Sequence, residues 1–348
     1  MKRVVQLLAS AVPGDAVTDQ AFAWRTVLRH WGYASKIVAE HVHPALAGHV
    51  QQLDLGRPRR GDVVVLHYAV WSRAIESFLD SSGPRVLCYH NVTPGDLLRG
   101  YNQPLADLCD QARAVLPEFR DRCDVVVADS QFNADDLRAA GIRGAAVVPL
   151  LLNLQSRGSD RTRDSDVVIL SIGRLAPNKR LEDTLKAFAL YQRDRSPGAM
   201  LVHVGPYHEF DSYRRALEDL AERLGVQGAR FTGRVRREER DAWYQRADAY
   251  ICSSIHEGFC APVVEALANG LPVVARAGGA VPETLGDAGV LLDGDPPAVY
   301  AEALHEVVSS PTTRAALGRA GERRLAELAP ERVAARLRAA LVPVLGHE

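Results

Sequence analysis

Short runs of branched apolar residues recur along this chain, each followed by a polar or glycine-bearing turn and then a helical pattern. In the first half they lie near residues 4–9, 35–42, 62–66, 85–89, 124–128 and 145–149. In the second half they lie near 167–172, 200–204, 229–235, 248–252, 272–275 and 290–292. Continuous apolar strands alternating with amphipathic helices predict parallel sheets covered on both faces. Residues 155–166 are rich in Ser, Arg, Asp and Gly and show no apolar period, which reads as a linker. The fold class is therefore α/β, with two doubly wound Rossmann-like domains facing a cleft, at 1–154 and 167–330. Within this pattern, Val17, Ala21, Trp24, Leu28 and Trp31 share one face of the first helix, and Leu181, Leu185, Phe188 and Ala189 one face of a later one. Tyr213, Leu217, Leu220 and Leu224 mark a third. A last amphipathic helix at 331–348 carries Val333, Leu337, Leu341 and Leu345.

Bulk composition excludes several function classes. A formal charge of −1 over 348 residues argues against nucleic acid as partner. Five scattered cysteines without a C-x-x-C pair fit reduced thiols in a cytoplasmic setting better than a disulfide framework or a zinc site. No apolar run reaches the roughly 18–20 residues that span a bilayer, so there is no strong membrane signal. The apolar start is interrupted by Gln6 and runs into Pro13-Gly14-Asp15, which reads as a first strand and turn. His41 and His43 have no third ligand nearby, and no metal site is expected.

The stretch from Ser254 to Pro272 reads as loop, helix and strand. Pro262 suits the first turn of a helix, and Gly270 followed by Leu271-Pro272 suits its end. Glu265 is expected in that first turn, with Glu257 just ahead in a glycine-bearing loop. Free N–H donors at such an end favour a phosphate or a sugar hydroxyl, although an acidic cap on a buried helix explains the same pattern.

The block Glu257-Gly258-Phe259 through Glu265-Ala266 resembles the Glu–seven–Glu signature of family-4 retaining glycosyltransferases, which have the GT-B fold. The resemblance implies that Glu265 binds the ribose of a nucleotide sugar. It implies that Glu257, Gly258, Phe259 and Cys260 clamp the transferred sugar. It also implies that the final helix packs back on the first domain.

Elsewhere the residues and the resemblance point the same way. Gly173-Arg174 through Lys179-Arg180 places Arg and Lys between a strand and a helix, the grammar of an anion site. The resemblance makes Arg174 and Lys179 diphosphate ligands, with Arg180 facing solvent. His67 and Tyr68 stand where the 62–66 strand gives way to a loop, and His90 stands at the end of the next strand, where open α/β sheets bind ligands. In the family a histidine at the place of His90 contacts the donor sugar. Gly14 and Asp15 form a turn after the first strand, a place where the family carries a glycine loop beside the donor. Gly205 is another strand-end glycine, and Val235 is the position whose backbone reads the base in the family. Residues 93–104 read as an acceptor-facing loop, and Ser130 as a helix cap. The turn at Gly278-Gly279 allows close backbone approach.

The expected activity is retaining transfer from a UDP- or GDP-linked sugar to a glycan or natural-product acceptor. Cationic groups would neutralise the leaving diphosphate, so no metal and no cofactor is expected. One preorganised donor in such a site is worth about 3–4 kcal/mol. No carboxylate nucleophile is evident, and the resemblance implies front-side attack. The rivals are a GT-B sugar-nucleotide epimerase and a non-catalytic nucleotide-sugar-binding protein. A nicotinamide oxidoreductase is disfavoured by the missing G-x-G-x-x-G after the first strand.

Overall fold

The computed structural model describes residues 2–154 and 166–346. The expected linker at 155–166 lies, apart from Asp166, outside the described residues. The chain divides into two compact units. Unit 1 comprises Met1–Asp96, Pro104–Asn153 and Leu328–Glu348; unit 2 comprises Leu97–Gln103 and Leu154–Glu327.

Unit 1 contains β1 (Arg3–Ala11), β2 (Ala34–Val42), β3 (Gln51–Gln52), β4 (Val63–Tyr68), β5 (Arg85–Tyr89), β6 (Val125–Ala128) and β7 (Ala146–Val147). Its helices are α1 (Ala16–His30), α2 (Leu53–Gly56), α3 (Arg73–Leu79), α4 (Gln103–Val115) and α5 (Gln131–Ala139). The strands form one sheet in the order β3-β2-β1-β4-β5-β6-β7, with every pair parallel. The order reverses between β1 and β4, so the carboxyl ends of those strands open a crevice at the switch point. All six residues of β4 are buried, as expected of a strand covered on both faces.

Unit 2 contains β8 (Val168–Ile172), β9 (Met200–Val204), β10 (Ala229–Phe231), β11 (Ala249–Cys252), β12 (Val273–Arg276) and β13 (Val290–Leu292). Its helices are α6 (Leu181–Asp194), α7 (Asp211–Arg223), α8 (Arg237–Arg246), α9 (Ala261–Ala268), α10 (Val281–Leu285), α11 (Pro297–Ser309) and α12 (Pro311–Glu327). The sheet order is β10-β9-β8-β11-β12-β13, all parallel, with its reversal between β8 and β11. The last helix, α13 (Pro330–Leu345), belongs to unit 1. Its Val333, Leu337, Leu341 and Leu345 join Val4, Trp24 and Val65 in one buried cluster. The Lys2 ammonium donates to the Val344 and Leu345 carbonyls at 3.2 and 3.0 Å, serving orphan acceptors at that helix end. None of the helices among the described residues is long and apolar enough to cross a membrane.

Four local expectations need correction. Glu265 is the fifth residue of α9 and lies outside its first turn, because the helix starts as early as Ala261, directly after Cys260 at φ +71°. His67 and Tyr68 continue β4 and are buried, since they pair in register with Cys88 and Tyr89 of β5. On α7, Ala221 takes the buried position and Leu224 is the exposed cap, the helix having ended at Arg223. Arg180 does not simply face solvent: it takes φ +52° ahead of α6 and pairs with Asp183 at 2.9 Å. The end of α9 fits its residues well. Gly270, at φ +66°, donates to Leu267 at 2.9 Å and Leu271 donates to Ala266 at 3.0 Å, a Schellman closure.

Candidate functional site

In unit 2 the polar residues gather at the switch point between β8 and β11. The loop after β8 turns through Pro177–Lys179, and the loop after β11 runs from Ser253 to Cys260. Backbone and side chains sew them together. Ile255 N–H donates to the Asn178 carbonyl at 3.0 Å, and Asn178 Nδ2 donates to the His256 carbonyl at 3.2 Å. Ser253 Oγ donates to the Lys179 carbonyl at 2.8 Å. A third loop closes on these two. A Cβ on Gly278 would lie 2.0 Å from the Ser254 carbonyl, and one on Gly279 2.4 Å from the Glu257 carbonyl. Only glycines permit that approach, and Ala280 N–H then donates to Glu257 O at 2.9 Å.

This frame brings Lys179 and Glu257 together at 2.5 Å, with side chains 20% and 11% exposed. Burial works against the Lys179 ammonium, but Glu257 and then Cys260 outweigh it, so the amine is held above its ordinary range and stays charged. Gly258 follows Glu257 in the same loop, and Phe259 and Cys260 are buried at its end. Thr284 Oγ1 donates to the Phe259 carbonyl and fixes the loop from α10.

Arg174 pairs instead with Glu209 at 3.1 Å, its guanidinium 5.8 Å from the Phe210 ring. Both partners are more than one-third exposed, so the pair is weak and an incoming anion can displace the carboxylate. Glu265 accepts from Tyr244 Oη at 2.8 Å and lies 3.4 Å from the Arg240 guanidinium. Burial, reinforced by Glu265, pushes the Tyr244 phenol well up, so it donates as a neutral hydroxyl. The strand-end glycines interlock: Gly173 donates to Val204 at 3.0 Å and Gly205 donates to Gly233 at 3.1 Å. A Cβ on Gly205 would sit 1.8 Å from the Gly173 carbonyl. Val235 is half-buried against the unit 2 core. A groove of about 580 Å³ between α6, the end of α7 and the start of α11 shares no residue with this cluster.

Unit 1 holds the remaining expected residues. Asp15 is the N-cap of α1 and accepts from Thr18 N–H at 2.9 Å; Gly14 takes φ +72° just before it. His90 follows β5, and both of its ring nitrogens are engaged. Nδ1 lies 2.7 Å from Asp129 Oδ2, and Nε2 lies 2.8 Å from His67 Nδ1. His67 Nε2 in turn lies 2.8 Å from Gln6 Oε1. Ser130 caps α5 by accepting from Asn133 N–H at 3.1 Å.

Five side chains in these two clusters escape a reading by motif: Asp129 on His90, His67 behind it, Tyr244 and Arg240 on Glu265, and Glu209 on Arg174. Asp129 stands first after β6, the strand beside β5, and the strand-end rule applied to His90 points to it as well. The sequence also hides that Cys252 and Cys260 face each other at 3.9 Å between sulfurs.

Two sets of three potential metal ligands occur among the described residues: His67, Cys88 and His90, and Cys252, Glu257 and Cys260. In the first, the ring nitrogens are spent on each other, Gln6 and Asp129. In the second, the Lys179 ammonium already occupies the Glu257 carboxylate, and its charge repels a cation.

Two doubly wound parallel sheets with polar loops at their switch points define the GT-B architecture. Sucrose-phosphate synthase from Thermosynechococcus elongatus superposes with a TM-score of 0.76 at 17% identity, covering 97% of this chain and 98% of that one. Anabaena HepE in complex with UDP and glucose gives 0.77 at 16% identity, covering 98% and 99%. Residues 155–324 match the family model of glycosyl transferases group 1. It is 30% identical over 227 residues to the D-inositol 3-phosphate glycosyltransferase of Streptomyces avermitilis, covering 63% of this chain and 47% of that protein. It is 29% identical over 234 residues to the enzyme of the same name from Corynebacterium glutamicum, covering 61% and 54%. The chain thus spans about half the length of these relatives.

Proposed function

We propose that this protein transfers a sugar, with retention and without a metal, from a UDP- or GDP-linked donor to a glycan or natural-product acceptor. The observation that carries the reading is the half-buried Lys179–Glu257 pair at the unit 2 switch point. In this reading Lys179 and Arg174 neutralise the charge that grows on the leaving diphosphate. Fixed charges and dipoles aimed at developing charge usually lower a barrier more than any other single effect. Glu257 and the backbone of Gly258, Phe259 and Cys260 hold the sugar hydroxyls. Glu265, oriented by Tyr244, holds the ribose, with Gly205 and Val235 beside the nucleotide. His90, Gly14 and Asp15 serve from unit 1. That HepE is solved in complex with UDP-glucose supports a uridine donor. The names of the relatives put an inositol phosphate among the acceptors worth presenting.

The test is a screen of UDP- and GDP-sugars with acceptor mixtures that include an inositol phosphate. Nucleotide diphosphate release is followed in the presence and absence of EDTA, and the anomeric configuration of the product is read by NMR. Acceptor-dependent release of UDP or GDP, insensitive to EDTA, with retained configuration is the expected result. Isomerised donor without acceptor would instead point to an epimerase. Binding without turnover would point to a sensor.

A further inference from the structure

Four neighbouring strands of unit 1 each contribute one polar group to an unbroken hydrogen-bond chain. Gln6 of β1, His67 of β4, His90 after β5 and Asp129 after β6 follow the spatial order of the sheet. The links measure 2.8, 2.8 and 2.7 Å, and the two imidazole rings are parallel within 1°.

The chain has a direction because one end is anchored to a group that can only accept. Gln6 Nε2 donates to the Ala21 carbonyl at 3.0 Å, which leaves Gln6 Oε1, an acceptor, facing His67. His67 Nε2 therefore carries a hydrogen. His67 is buried and its ring nitrogens meet no carboxylate among the described residues, so it is neutral and its Nδ1 is a bare acceptor. His90 Nε2 must then donate to it. At the far side His90 Nδ1 faces a carboxylate whose other oxygen, Oδ1, is buried without a partner among the described residues. Burial opposes charge on His90, but the Asp129 carboxylate reverses the balance and leaves the imidazole well above its ordinary value. Burial also raises the Asp129 carboxyl against the pull of His90; the 2.7 Å Nδ1–Oδ2 contact is the length of a charge-assisted hydrogen bond, which puts the shared proton on nitrogen. His67, Cys88 and Asp129 are the titratable groups facing His90; burial keeps the Cys88 thiol neutral.

We propose that Asp129 and His67 are positioning residues that fix His90 as a doubly protonated imidazolium, an immobile positive charge at the carboxyl edge of this sheet and neither an acid nor a base. Its use in sugar transfer rests on the reading above; the protonation state does not. With both N–H groups spent inside the chain, the ring gives no proton to a substrate and takes none from it.

The test uses the full chain labelled with 15N-histidine, with two-bond proton–nitrogen NMR from pH 6 to 9 and assignment by His90→Gln. Both His90 nitrogens are expected to stay protonated throughout, and His67 to carry a hydrogen on Nε2 alone. A bare His90 nitrogen at pH 7.5 overturns the proposal whether or not the protein transfers sugar. In Asp129→Asn, His90 should lose a proton and titrate below its ordinary value, because burial then acts unopposed. If transfer is measurable, kcat should fall on the order of 100-fold with a new ionisation in its pH profile. A fall in kcat with His90 still doubly protonated would make Asp129 a merely structural residue and sink the idea. Should that variant not fold, His67→Gln, whose oxygen can still accept from Nε2, must keep His90 doubly protonated.

Discussion

The Lys179 ammonium meets the Glu257 carboxylate at 2.5 Å although 78 residues separate them in sequence. Adjacent parallel strands at a switch point make that meeting possible, because each sends its following loop to the same edge. Removing one partner strands the other charge in a poorly hydrated place. Glu257→Gln is expected to cost about 3 kcal/mol in urea unfolding. The double change Lys179→Met with Glu257→Leu should recover most of that stability while leaving transfer at background. Activity in the double variant would remove this pair from the mechanism.

Glu265 owes its orientation to Tyr244, from which it accepts at 2.8 Å. Tyr244→Phe deletes one hydrogen bond and should lower stability by about 1 kcal/mol. If the carboxylate holds the ribose equally in ground and transition states, donor KM rises several-fold and kcat is unchanged. Initial-rate kinetics over a range of donor concentrations separate the two parameters.

Gly205 is irreplaceable on steric grounds, since any Cβ would lie 1.8 Å from the Gly173 carbonyl. Gly205→Ala should lower stability by more than about 3 kcal/mol, because backbone must move. Gly14→Ala meets nothing within 4 Å and carries only the strain of φ +72°, worth roughly 1 kcal/mol. Thermal melts of the two variants should therefore rank in that order, and equal melting points would contradict the packing described.

Acid should destabilise the fold through two buried histidines. Burial, then the nearby Lys179 charge, holds His203 down at about 3, and burial, then the His90 charge, holds His67 well below its ordinary value. Below pH 6.5 the unfolded chain binds protons that these native side chains refuse. Their stabilisation is complete above that pH and shrinks as pH falls, by about 1.4 kcal/mol per unit for each. His90 has the opposite sign: its raised value stabilises fully below pH 6.5 and is lost as pH climbs through it. Urea midpoints between pH 4 and 7 should show the acid limb, and His203→Gln should make it shallower.

The cap on α5 offers a smaller, cleaner measurement. Ser130 is buried and accepts from Asn133 N–H at 3.1 Å. Ser130→Ala should cost about 1 kcal/mol with no change in donor KM.

Strand positions were legible because buried parallel strands leave continuous runs such as Val63-Val64-Val65-Leu66, which few other structures tolerate. Gly270 and Pro262 marked the ends of α9 for local steric reasons. Its true start, one residue ahead of Pro262, was not legible: Cys260 in a left-handed conformation sets it, and no residue-type rule puts cysteine there. Helix α8 escaped notice since Tyr244 is its only fully buried residue and charges fill most of the rest. Partners across strands escaped for a different reason. Asp129 reaches His90, and Arg240 reaches Glu265, through sheet order and helix packing, which no spacing along the chain encodes.

The placement of α13 sets a schedule for biosynthesis. The sheet of unit 1 leaves the ribosome before unit 2, yet the helix that buries Val4, Trp24 and Val65 is made from residues 330–345, after all of unit 2. Until then that apolar face has no permanent cover, a condition under which nascent chains recruit chaperones or stick to one another. Emergence of α13, more than emergence of the early strands, is the moment at which this half can become native.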